Sequence, residues 1–127
     1  METASPEALK ICGYTPEKWE QAIDLKTALA QLSELGRGAV LAGFNVTFDW
    51  AYLQIGFNQV DLPDPFYYHR VDVMSMVFAK YYGNAHFTRF SLSECCRYFG
   101  VNNKVAHTAL SDAEATYEVF AAMMRDI

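Results

Sequence analysis

Apolar residues recur at helical spacing through most of this chain, and residues 39–44 form a short unbroken run. Trp19, Ala22, Ile23, Leu25, Ala28, Leu29, Leu32 and Leu35 return every three or four positions, which predicts a helix stopping at Gly36 and Gly38. Asp24 can interrupt that helix and cap a second segment. Ahead of it, Ser5-Pro6-Glu7 and Thr15-Pro16-Glu17 each join a capping hydroxyl, a proline suited to the first helical position and an acidic first turn. The earlier helix should end at Gly13. Residues 39–44 are a continuous apolar run after a helix, the mark of a buried parallel strand apolar on both faces. Residues 47–55 then read as a helix with Phe48, Tyr52 and Leu53 turned inward, and 56–65 as a loop rich in Asn, Asp and Pro. A second strand is expected at 66–71, followed by a helix to Tyr82 that buries Val73, Met74, Val77 and Phe78. Ser91-Leu92-Ser93-Glu94 opens a helix ending before Gly100, and a last helix over 111–125 has Ala115, Val119, Phe120 and Met123 for its core face. Two strands against five or six helices is a lopsided count for a doubly wound α/β domain.

Composition narrows the class without naming a function. The 127 residues suffice for one domain with its own core, and 52% hydrophobic with 15% aromatic content argues against disorder. No apolar run approaches the roughly twenty residues a membrane helix needs. The N-terminus does not read as a signal peptide. Three cysteines, two of them adjacent, make a poor disulfide framework, so a reducing, cytoplasmic setting is the simpler reading. A net charge of −5 disfavours a protein that coats nucleic acid. It leaves room for a nuclease, whose clustered carboxylates hold divalent cations.

The stretch that carries chemistry is Ala106-His107-Thr108-Ala109-Leu110-Ser111-Asp112-Ala113-Glu114-Ala115-Thr116. Ser111 with Glu114 forms a capping-box pattern, which would start the last helix near Ser111 and leave His107 on the approaching loop. Asp112 then lies in the first turn. A rigid metal-binding carboxylate beside a mobile imidazole suits a metal-dependent hydrolase, where the metal acidifies a water and the histidine takes its proton. Alone, the pair reads sooner as a helix-capping aspartate and a surface histidine. Gly43-Phe44-Asn45-Val46-Thr47-Phe48-Asp49, at the end of the first strand, is the second such stretch. Ligands of open α/β sheets collect at that strand end.

Together these stretches resemble the second and third motifs of the DnaQ-like (DEDDh) 3′-5′ exonucleases of ribonuclease-H-like fold, and the resemblance covers nearly the whole chain. The family patterns run roughly G-H-N-x-x-F-D and H-x-A-x-x-D-A-x-x-T. Phe44 stands where the family often has histidine, and the family's first motif, D-x-E-T on the opening strand, has no counterpart. The resemblance implies a single exonuclease-type domain over 1–127, corresponding to the C-terminal part of the family domain. The fold implied is an incomplete ribonuclease-H-like α/β domain, helix-rich, with about two short parallel strands and the first three family strands missing. It also implies two-metal phosphodiester hydrolysis with Mg²⁺ or Mn²⁺, oxygen ligands suiting those ions better than zinc. Asp49 and Asp112 would be metal ligands and His107 the general base. Asn45 would bind the substrate backbone or brace its loop. Phe48 would either pack or meet substrate, and Phe87 and Arg89 would meet the bases and phosphates of single-stranded DNA or RNA 3′ ends. Asp72 matches a recurrent position, with bracing by hydrogen bonds expected over metal binding. Without the first motif the isolated chain is expected to be inactive and to self-associate or to need a partner chain supplying the missing strands. The alternative is a noncatalytic nucleic-acid-binding or assembly module on the same fold.

Overall fold

The computed structural model describes residues 5–103 and 108–125. Side-chain caps set most helix starts. Ser5 Oγ accepts from the Ala8 amide (3.1 Å) at the head of α1 (Pro6–Ile11), and Thr15 Oγ1 accepts from the Lys18 amide (3.2 Å) at α2 (Pro16–Trp19). The break at Asp24 is real. Its carboxylate takes both the amide (3.0 Å) and the hydroxyl (2.7 Å) of Thr27, so α3 (Leu25–Gly36) starts afresh there.

Next come β1 (Leu41–Gly43) and α4 (Val46–Gln59). The helix runs through residues 56–59, where a loop was expected. Gly56 faces α3 so closely that a Cβ there would lie 3.1 Å from Leu29 Cδ1, so this glycine serves helix packing and not a turn. The inward face of α4 is also different from the expected one. Val46, Gly56 and Phe57 are buried, whereas Phe48 and Tyr52 are 61% and 64% exposed. Periodicity identified the helix but not the side it buries.

Strand β2 (Arg70–Asp72) is shorter than the expected 66–71. The rings of Tyr67, Tyr68 and His69 meet one another at tilted angles, with centroids 4.0 to 5.3 Å apart, and Arg70 Nη1 donates to the carbonyls of Tyr67 and His69. Tyr67 also donates its amide to the Ala39 carbonyl (2.8 Å), ahead of the regular ladder. Arg70 lies over the Trp50 ring (3.7 Å) and pairs with Asp64 (3.3 Å), which pins the loop to α4. Strands β1 and β2 run parallel with Leu41 opposite Arg70 and Gly43 opposite Asp72, and among the described residues they are the whole sheet.

The second half holds α5 (Val73–Tyr81), α6 (Leu92–Phe99) and α7 (Ala109–Arg125). Their buried residues Val73, Val77, Cys95, Cys96, Ala115, Val119 and Met123, with Phe87 from the intervening loop, form the main core. Phe78, expected inside, is 47% exposed. Lys80 Nζ donates to the Met123 carbonyl (3.1 Å), a cation at the end of α7 where the helix dipole favours it. Helix α7 begins two residues before Ser111, so the capping-box reading fails. Thr108 Oγ1, three residues ahead, accepts from the Ser111 amide (3.4 Å) instead.

Candidate active site

The site assembles where β1 and β2 end. Asn45 takes the left-handed conformation (φ 64°) and turns the chain from β1 straight into α4. Its amide and that of Val46 donate to Asp72 Oδ1 (2.7 and 3.3 Å), and Ser75 donates its hydroxyl to Asp72 Oδ2. Burial pushes the Asp72 carboxyl up, but the Ser75 hydroxyl and the two amides outweigh it and hold the group below its usual range. Asp72 thus ties the ends of the two strands together. Asn45 enters this brace through its backbone, and its side chain makes no capping bond.

That turn delivers Asp49 into the first turn of α4. A Cβ on Gly43 would lie 3.2 Å from Asp49 Oδ2, so the carboxylate rests above the bare end of β1. Burial raises the Asp49 carboxyl above its ordinary range, against a weaker lowering by its own backbone amide. Asp112 comes from the first turn of α7, where an acidic side chain meets the positive end of the helix dipole. Asn103 Nδ2 donates to its Oδ1 (2.8 Å), and Asn103 Oδ1 accepts from Ser111 Oγ (2.7 Å). Thr116 returns its hydroxyl to the Asp112 carbonyl (2.7 Å).

Asp49 and Asp112 line one cavity of about 620 Å³. Its walls are β1 with Phe44, the first residues of α5 and α6 (Val73 and Leu92), and a stripe of α7 that includes Tyr117 and Phe120. Phe44 leaves an apolar surface beside the carboxylates. A second cavity of about 320 Å³ between α3 and α4 shares Asp49 and adds Phe48 and Tyr52, whose rings lie 4.8 Å apart.

The structure brings together Asp49 and Asp112, with Phe48 next to the former. His107 lies outside the described residues. Arg89 is exposed on the loop between α5 and α6. Phe87 is a correction: at 7% exposure it packs in the core, stacked on Phe90 (5.0 Å, 5°), with no free face for a base. Sequence reasoning missed Asn103 and Tyr117, because a hydrogen-bond donor on a loop and an exposed helical tyrosine carry no spacing signal.

Carboxylate oxygens suit a hard divalent cation in type. In number they fall short, since no group of three or more His, Cys, Asp or Glu side chains converges among the described residues. The cysteines offer no alternative. Burial pushes Cys95 up to about 11, and burial with the nearby Asp112 and Glu118 charges raises Cys96, so both thiols stay protonated near neutrality. No helix among the described residues is long and apolar enough to cross a membrane.

The chain is 28% identical over 123 residues to the 3′-5′ DNA exonuclease Cap18 of Escherichia coli, an alignment covering 91% of this chain and 65% of that protein. The family model described as Exonuclease (RNase_T) matches residues 1–120. With both motif aspartates on one cavity at the strand ends, this chain belongs to that exonuclease family, on a helix-rich, ribonuclease-H-like domain.

Proposed function

We propose that this polypeptide carries part of the active site of a DEDDh-type 3′-5′ exonuclease acting on single-stranded ends of DNA or RNA. The observation that carries the reading is the meeting of Asp49 and Asp112 on one cavity from helices far apart in the sequence. A divalent ion, Mg²⁺ or Mn²⁺, would supply charge neutralisation at the scissile phosphate and a water of lowered pKa. Asp49 and Asp112 would hold it. Asn103 fixes one oxygen of Asp112 and so orients that carboxylate, as outer hydrogen bonds do for metal ligands. His107, adjacent in sequence to the Thr108 that precedes α7, is the proposed general base. Phe48, exposed beside Asp49, is proposed to stack against a base near the scissile bond, with Asn45 holding the neighbouring backbone.

Two acidic donors bind such an ion weakly. The remaining carboxylates would come from a strand pairing with the open edge of β1, carried by a partner chain or by a longer form of this one. The test is digestion of a 5′-labelled single-stranded oligonucleotide with Mn²⁺. The 127-residue chain alone should leave it intact, and joining an opening strand with D-x-E-T should yield a ladder shortening from the 3′ end. His107→Ala or Asp112→Asn should then abolish that ladder. Digestion by the unextended chain that needs His107 would show that two acidic donors suffice. A ladder from the extended chain that survives Asp112→Asn would end the assignment.

The second reading, a noncatalytic binding or assembly module, is favoured by the absence of a three-ligand cluster among the described residues. It predicts oligonucleotide binding without cleavage even after the strand is added.

A further inference from the structure

We propose that Asn103 is a positioning residue that leaves Asp112 one oxygen for a cation and so makes the site prefer Mg²⁺ over Ca²⁺. The inference rests on Asp112 being a metal ligand, as in the exonuclease reading. Asn103 Nδ2 donates to Asp112 Oδ1 (2.8 Å), and both residues are half-buried. A carboxylate only accepts, so the amide nitrogen is the end of Asn103 that must face it. The other end is settled as well, because Ser111 donates its hydroxyl to Asn103 Oδ1 (2.7 Å). Turning the amide over would set oxygen against oxygen at Asp112, so the two bonds together fix which oxygen of the carboxylate is engaged.

The main chain of Asp112 is held as firmly as its side chain. Its amide donates to the Thr108 carbonyl (3.0 Å), and its carbonyl accepts from the Thr116 hydroxyl (2.7 Å). With the backbone anchored and Oδ1 taken, Oδ2 is the oxygen that accepts no hydrogen bond among the described residues. Asp49, the other carboxylate of the cavity, has no side-chain donor on either oxygen among the described residues. The arrangement therefore singles out Asp112.

Ion preference follows from what each cation needs. Ca²⁺ gathers about six to eight oxygens in a flexible shell and often grips both oxygens of one carboxylate. Mg²⁺ demands a near-ideal octahedron, keeps several waters and needs only one or two carboxylates. A cation spanning both oxygens of Asp112 would crowd the positive hydrogen that Asn103 places on Oδ1. A cation on Oδ2 alone avoids that hydrogen. Asn103 thus penalises the two-oxygen grip and spares the one-oxygen contact. The loss counts because Asp49 and Asp112 are the acidic residues lining the cavity among the described residues, so no further carboxylate there replaces the withheld oxygen.

The test is an amide NMR titration of the 127-residue chain with Mg²⁺ and, separately, Ca²⁺ at matched ionic strength. The Asp112 and Ala113 amides report each dissociation constant at this site and ignore ions held elsewhere on the surface. The wild type should favour Mg²⁺. In Asn103→Leu, which keeps the bulk but removes the donor, that preference should fall by about fivefold or more, within the range that outer hydrogen bonds command at metal ligands. Ser111→Ala, which removes only the donor to Asn103 Oδ1, should move it the same way, and it decides the matter if the leucine variant does not fold. Amide shifts across the rest of the molecule check folding. A preference unchanged in the folded variants, with both ions weakened alike, would overturn the proposal and leave Asn103 a merely structural residue. So would a wild type without the preference, or one whose Asp112 and Ala113 amides answer to neither ion. Any of these beside Asp112-dependent cleavage by the strand-extended protein would leave the exonuclease reading standing. The expected shift in preference with no cleavage by that protein would sink only the catalytic reading.

Discussion

At Asp49 the fold works against its own stability. Burial raises the carboxyl, so folding favours the protonated form. A group raised in this way contributes stability that is present below its unfolded pKa and disappears as the pH climbs through the folded value. At neutral pH the charged carboxylate is therefore a cost, as expected where a site is kept for a ligand. Asp49→Asn should raise the melting temperature at pH 7, and the gain should shrink as the pH is lowered toward the ordinary aspartate range. A variant that melts lower than wild type at pH 7 would show that Asp49 is structural. Asp72 has the opposite sign. Its hydrogen bonds lower the carboxyl, so its contribution is present above the unfolded pKa and lost as the pH falls through the folded one. Asp72→Ala leaves the Asn45 and Val46 amides without their acceptor and should cost about 1–3 kcal/mol in urea unfolding.

The start of α6 shows at the scale of an element what a capping pattern does in three dimensions. Ser91 caps as expected, accepting from the Glu94 amide (3.3 Å), but Glu94 reaches past it to Thr88 and Arg89. The Thr88 hydroxyl, with the Arg89 amide, holds the Glu94 carboxyl at about 2 against an ordinary 4.5. The loop-to-helix tie is therefore intact above pH 4.5 and released as the pH falls toward 2. Amide hydrogen exchange at Arg89 should rise over that window, and Glu94→Gln should flatten the dependence. Helix α3 meets its neighbours through two glycines of unequal tolerance. A Cβ on Gly36 would come 2.5 Å from Phe66 Cε1, whereas one on Gly56 would meet Leu29 Cδ1 at 3.1 Å. Gly36→Ala should cost about 1–3 kcal/mol by overpacking. Gly56→Ala should cost far less, because the gain of about 1 kcal/mol in helix propensity offsets the tighter contact. Denaturant melts of the two variants side by side check the order.

For the whole molecule, the open question is what covers the sheet. Ala42 is exposed in the middle of β1, and Val40 just before it is 44% exposed. Leu35, Phe48, Tyr52 and Ile55 add exposed apolar surface on α3 and α4, and Leu110 and Tyr117 add more on α7. A strand edge with unpaired amides and carbonyls, flanked by such surface, recruits another strand. We therefore expect the chain to self-associate or to take a partner strand. Sedimentation equilibrium at micromolar concentration should report a dimer or larger species, and the β1 amides should be protected only in the associated form. A stable monomer with those amides protected would refute the expectation.

Much of this protein was legible before any fold was in view. The caps at Ser5, Thr15, Asp24 and Ser91 are local hydrogen bonds between neighbours, so their residue types announce them wherever the helix ends up. The motif aspartates were legible for a different reason, their spacing from strand end and helix start being a matter of chain geometry within a few residues. What lay beyond sequence reading depends on partners distant in the chain. Whether Phe48 or Phe57 is the inward residue of α4 depends on where α3 lies, and both are phenylalanines on one helix. Phe87 and Phe78 exchanged their expected roles because the loop ties of Glu94 and Asn84 turn one ring into the core, while α5 leaves the other outside. Strand β2 is half its expected length, and the segment ahead of it is held by contacts no pattern announces, Arg70 bonding the Tyr67 and His69 carbonyls and Tyr67 donating its amide to Ala39. Periodicity reports that a face is apolar. Only the packing of the other elements decides which apolar face is covered and which is left for a partner or a substrate.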